Sequence, residues 1–150
     1  MKYLIGILLI AIIGTWFVFS AIMGVPSRPV SEQQIKNYID YHRVDKGLSM
    51  LNYDPILERE AQERAEKLCT IPFDHADFEA ELATSGYPFH YAGENLAQTK
   101  GWSNEQIVQH WYDSPTHNDN IMKREYNETG IGIAECKDRT IIVQWFANKK

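Results

Sequence analysis

The clearest pattern along the chain is an uncharged apolar run at its start. Tyr3 to Val25 carries no charged residue, and Leu4 to Phe19 is apolar apart from Thr15. A helix needs about 20 apolar residues to cross a bilayer, whereas the apolar part of a cleaved signal is shorter, roughly 7–15 residues. Residues 1–25 are therefore read as an N-terminal transmembrane helix, with a cleaved signal segment as the alternative. Lys2 before the span agrees with an N-terminus on the inside. Either way the remainder is expected outside the cytoplasm, anchored at the membrane or secreted. Residues 26–30, with two prolines, form a linker, and residues 31–150 form one domain.

Within that domain the spacing changes to amphipathic helices. Ser31 and Gln34 have the spacing of a capping box, followed by Ile35, Tyr38, Ile39 and His42 at helical intervals, so a helix is predicted to about Asp45 and ended by Lys46-Gly47. Asp54-Pro55 opens a second helix, with Asp54 as cap and Leu57, Ala61, Ala65 and Leu68 as its apolar stripe. Its two alanines permit close approach of a neighbouring layer. Glu58, Arg59, Glu63, Glu66 and Lys67 form a solvated charged face. Asp77 to Ala83 reads as a short helix, and Tyr87 to Lys100 lacks a clear period and reads as loop. Ser103 and Gln106 give a second capping box before Ile107, Val108, Trp111 and Tyr112. Ser114-Pro115 breaks that helix and starts another, with Ser114 as cap. Thr129 to Ala134 and Thr140 to Phe146 are rich in Ile, Val and aromatics around the polar turn Lys137-Asp138-Arg139, which predicts a β-hairpin. Helices first and a hairpin last is α+β order. The expected core includes Leu57, Ala61, Trp111, Ile133 and Trp145.

Charge narrows the choice of partners. The formal net charge is −5, and Lys2 is the sole charged residue before Arg28. An acidic domain is a poor partner for nucleic acid, which wants a basic face, and has no electrostatic grip on anionic lipid. Contact with a membrane is expected through the N-terminal segment instead. Removing that segment leaves about 125 residues, enough for one modest core. Two cysteines are too few for a disulfide scaffold and have the wrong pattern for a zinc ribbon. In an exported domain a single Cys69–Cys136 bridge is expected, the alternative being two unrelated buried thiols.

Four segments place unusual polar residues beside apolar ones: Phe73-Asp74-His75, Gly93-Glu94-Asn95-Leu96-Ala97, Ser114-Pro115-Thr116-His117 continuing through Asn120-Ile121-Met122, and Thr129-Gly130-Ile131-Gly132-Ile133-Ala134. Taken singly, His75 and His117 are two of five histidines. In order and spacing, together with His42-Arg43, Gly47, Leu51, Asp54, Trp111 and Trp145, the segments resemble the signature of the CAP superfamily (cysteine-rich secretory, antigen 5 and pathogenesis-related proteins) in its bacterial-type form. The resemblance covers nearly all of Glu32 to Phe146. It implies an α-β-α sandwich, with a small antiparallel sheet between helical layers. It also implies that His75, Glu94 and His117 meet in one open cleft. Many eukaryotic members carry a second acid three residues after the helix tryptophan. That position is Ser114 here, so a mechanism needing two carboxylates lacks one of them.

His117 falls in the first turn of the helix that Ser114 begins, where the helix dipole disfavours imidazolium. A neutral imidazole is the form a metal needs. His75 and His117 are thus candidate metal ligands, for Zn²⁺ or another divalent ion, with a carboxylate or water completing the shell. Glu94 either lines that cleft or accepts hydrogen bonds that tie loops together. Three functions follow: a binding module for a metal, a lipid or a cell-wall component; an interaction domain for a protein; or a metal-assisted hydrolase, peptidase or esterase, using a water beside Glu94. The sequence has no Gly-x-Ser-x-Gly and no His-Glu-x-x-His motif to place a nucleophile or a zinc base.

Overall fold

The computed structural model describes residues 29–149. The N-terminal span, read above as anchor or signal, lies outside these residues. Among the described residues no helix is long and apolar enough to cross a membrane. The elements run α1 (Glu32–Asp45), β1 (Asn52–Tyr53), α2 (Pro55–Lys67), α3 (Phe78–Thr84), β2 (Phe89–Thr99), α4 (Asn104–Asp113), α5 (Pro115–Met122), β3 (Glu128–Glu135) and β4 (Thr140–Lys149). The class is α+β, as expected.

The sheet has the order β1-β3-β4-β2. β3 and β4 form the expected hairpin, with Gly132 opposite Val143. Two features depart from expectation. The sheet is mixed rather than antiparallel, because β1 runs parallel to β3. The stretch read as loop is the eleven-residue strand β2, paired antiparallel to β4 without a break from Tyr91 to Thr99, with an irregularity between Phe89 and Tyr91. Residues 93–97 of β2 are all buried. With both faces covered, no apolar-polar alternation marks the strand.

Helices cover both faces of the sheet. Alternate residues of β4 enter two separate cores. Ile142 and Phe146 join Ile35, Ile39, Ile107, Trp111 and Ile121 beneath α1, α4 and α5. Ile141, Val143, Trp145 and Ala147 join Leu57, Ala61, Ala65 and Leu82 beneath α2 and α3. Of the expected core, Leu57, Ala61, Trp111 and Trp145 are fully buried, and Ile133 is partly so. The alanines of α2 do allow close approach, and the glycines of β3 complete it. A Cβ on Gly130 would stand 2.1 Å from the Leu57 carbonyl carbon, and one on Gly132 2.3 Å from that of Ala61.

Helix starts follow local chemistry with two corrections. Asp54 caps α2 through the N–H groups of Ile56 and Leu57, and Ser103 with Gln106 makes the full capping box of α4. At α1 the box is only half formed. Ser31 Oγ accepts from the Gln34 N–H at 3.5 Å, but the Gln34 side chain accepts from Asn104 Nδ2 at 2.9 Å. Asn104 Oδ1 in turn takes the Ser31 N–H at 2.8 Å. A residue from α4 thus replaces the local partner and joins the starts of α1 and α4. Ser114 stands at the cap position of α5, but its side chain makes no capping bond.

Cys69 and Cys136 form a disulfide, joining the turn after α2 to the end of β3. Both lie on the core side shared by α2 and β3, which brings residues 67 apart in sequence together.

Candidate functional site

The site is built outward from Glu94, in the middle of β2. Its side chain is 1% exposed. One oxygen, Oε1, accepts from Arg64 Nε and from Trp145 Nε1 at 3.0 Å. The other, Oε2, lies 2.6 Å from His75 Nδ1. A carboxylate only accepts, so Nδ1 is the donor, and in the neutral ring the lone pair resides on Nε2. A buried acid thereby fixes the tautomer and orientation of a histidine whose side chain is 54% exposed.

Arg64 makes this anchorage rigid. It lies on the inner stripe of α2, with its side chain also 1% exposed. Besides Glu94 it donates to Glu81 of α3 at 3.0 Å and to the Asp74 carbonyl at 2.9 Å. Burial alone would lower the guanidinium pKa, but the bonds to Glu94 and Glu81 outweigh it and the net shift is upward. One cation therefore holds α3, β2 and the backbone beside His75. Arg64 had no place in the expected site. The signal was present in the sequence, because positions 57, 61, 64, 65 and 68 all lie on the buried side of one helix.

His117 arrives from the opposite side, on the first turn of α5. Its carbonyl accepts from Asn95 Nδ2 at 3.1 Å. Asn120, one turn on, donates to the Glu94 carbonyl at 3.1 Å and to Asn95 Oδ1 at 3.0 Å. These bonds fasten α5 along β2. Gly93 leaves room for them, since a Cβ there would lie 2.6 Å from Asn120 Oδ1. His117 Nδ1 is buried and has no hydrogen-bond partner among the described residues. Burial lowers the pKa of His117, and the nearby His110 and His75 lower it further. The ring is thus held toward its neutral form, as expected from its helix position, with burial as the leading cause.

His75 and His117 line the same cleft, of about 360 Å³, with Phe73 and Gln98 among its walls. Glu94 is not on the cleft surface but stands behind His75. A third imidazole, His110 of α4, also lines the cleft, its ring centroid 6.3 Å from that of His117. It was not among the expected residues, because nothing in the sequence shows that the α4–α5 corner turns it inward. Among the described residues, no three or more His, Cys, Asp or Glu side chains are grouped to hold a metal ion. A larger groove of about 650 Å³ between α1 and α4, lined by Tyr38, Tyr41 and His42, contains none of the three candidates.

The comparisons agree with this architecture. An outer surface protein from Borrelia burgdorferi superposes with a TM-score of 0.65 at 25% identity, covering 79% of this chain and 95% of that one. An extracellular protein containing an SCP domain from Bacillus anthracis gives 0.66 at 21%, over 78% of this chain and 40% of its own length. NaASP2, in a structure with Zn²⁺, gives 0.59 at 12%, over 85% and 91%. No curated protein sequence matches the chain. The profile of the cysteine-rich secretory protein family, CAP, matches residues 36–146, and the chain belongs to that family.

Proposed function

We propose that this protein is an extracytoplasmic binding module of bacterial type, held at a membrane by residues 1–25, whose cleft takes its ligand through His75 and His117 with a divalent metal such as Zn²⁺ shared between them. The observation that carries this reading is the pairing of two differently prepared imidazoles in one cleft. Glu94 holds His75 from behind, and burial lowers the pKa of His117, whose Nδ1 has no hydrogen-bond partner among the described residues. Two nitrogens fit an open, weakly held ion rather than a closed structural zinc, which takes four protein ligands. When bound, such an ion would supply positive charge and open coordination positions for a ligand. NaASP2, of the same fold, is a structure with Zn²⁺.

Location outside the cytoplasm is supported by the disulfide, which persists in oxidising compartments, and by the uncharged N-terminal run. Cleavage of that run would make the protein secreted. The acidic net charge disfavours nucleic acid as a partner. Lipid, wall-derived and protein ligands all remain compatible with the cleft. The hydrolytic alternative is less well supported. It needs a carboxylate free to meet water, and both oxygens of Glu94 are engaged by Arg64, Trp145 and His75. Calorimetric titration with Zn²⁺ of the wild type, His75→Ala and His117→Ala is the test. Loss of binding in both variants supports the reading, and equal binding by all three proteins overturns it.

A further inference from the structure

β2 is an edge strand of the sheet. Backbone groups along a strand point alternately to the two sides. The outward side is identified by its present partners, since Asn120 Nδ2 takes the Glu94 carbonyl and Trp111 Nε1 takes the Leu96 carbonyl at 3.0 Å. The next outward residue is Gln98, opposite Ile141 of β4. No side chain or loop among the described residues bonds its backbone N–H or carbonyl. Helices α4 and α5 thus close the edge up to Leu96 and leave it open beyond.

The cleft lies against this open stretch. Leu96, Ala97 and Gln98 form its floor, and a second concavity of about 400 Å³, reaching Trp102 and Arg139, shares Gln98 with it. One wall carries Phe73 and His75. The other carries His117, His110 and Trp102, whose successive ring centroids lie 6.3 and 5.2 Å apart. His117 Nδ1 and Arg139 Nε, buried and without partners among the described residues, belong to residues lining the two concavities.

We propose that the cleft binds an extended peptide segment, whose backbone pairs with the outer edge of β2 at Gln98 and runs on between the two walls. Gln98 offers an N–H and a carbonyl on the same side of the strand, and an extended backbone meets both. Side chains of such a segment alternate in direction. One set reaches the Phe73 and His75 wall, and the other the Trp102, His110 and His117 wall. The walls also keep the edge from pairing with a whole foreign sheet, a hazard of open edges. This inference rests on the reading of the cleft as the binding site and names the chemical class of its ligand.

The test uses full-length protein in detergent micelles and a pool of short random-sequence synthetic peptides. The tightest peptide is then remade with one backbone amide N-methylated at a time. Methylation of the one amide that donates to the Gln98 carbonyl should weaken binding about tenfold or more, with the neighbouring positions unaffected, because the lost bond leaves that carbonyl unpaired in the complex. Hydrogen exchange of the Gln98 amide should slow when peptide is added. Three results would overturn the proposal: no peptide binds, binding ignores backbone methylation, or the Gln98 amide is already protected without peptide. Gln98→Pro, which lacks the N–H, should abolish binding; if it does not fold, the exchange measurement on wild type decides. If Zn²⁺ binds through His75 and His117 while no peptide binds, this inference fails and the cleft reading stands. If peptides bind with this single methylation-sensitive amide while Zn²⁺ binding ignores both histidines, the strand proposal stands and the shared-metal reading fails.

Discussion

Arg64 of α2 and Glu94 of β2 form an ion pair in which each side chain is 1% exposed. The pair bridges the helical layer and the sheet, and its carboxylate also holds His75. Fold and site therefore share one interaction. Taking both charges out of water is expensive, and the pair is tolerable because each partner is further bonded, Arg64 to Glu81 and Asp74 and Glu94 to Trp145 and His75.

Removing only the acid should expose that cost. Glu94→Ala leaves the Arg64 cation buried without its main partner, and a loss of about 3–5 kcal/mol is expected. Urea unfolding of the variant measures it. A change below about 1 kcal/mol, the range of an exposed pair, would show that the pair is not structural.

The contact between α2 and β3 gives a second prediction. In Gly132→Ala the added methyl meets the Ala61 backbone at 2.3 Å, which cannot swing aside. The cost should lie at or above the top of the usual overpacking range, about 1–3 kcal/mol. Gly47→Ala is the control. Gly47 has φ +72° and nothing within 4 Å of a new Cβ, so only backbone strain of about 1–2 kcal/mol is expected. Equal losses in the two variants would contradict the close approach.

The Cys69–Cys136 bridge spans a sequence separation of 67. Its removal should cost about 2–4 kcal/mol, chiefly by freeing the unfolded chain. Alkylating reagent should label the unfolded protein only after reduction. Two thiols labelled without reductant would refute the bridge.

Stability should also depend on the protonation of His117. Its pKa is lowered from 6.5 in the folded protein, first by burial and then by repulsion from His110 and His75. Just below 6.5 the unfolded chain binds this proton more readily, so stability is full above that pH and falls as pH drops toward the folded value. His117→Gln should flatten that part of the profile. An unchanged slope would mean that other groups carry it.

How much of this was legible follows from what each residue displays locally. The β3–β4 hairpin and the starts of α2 and α4 were readable, because alternation, caps and turns are properties of neighbouring residues. β2 was not, since burial of residues 93–97 erases its period and places Gly93, Glu94 and Asn95 within a strand. β1 has only two residues and pairs in parallel with a strand far along the chain. At the site, His75 and His117 were found through the resemblance. Arg64 is visible in the sequence as a charge on an apolar stripe. His110 becomes visible only once the corner between α4 and α5 is built.

In the proposed function His75 and His117 act on one bound ion. Imidazole nitrogen NMR during a Zn²⁺ titration tests it most directly. The His75 and His117 resonances should move together at the same zinc concentration. His42, stacked on Tyr112 away from this cleft, and His90 should stay in place. Movement of only one of the two, or of neither while other histidines shift, would contradict it.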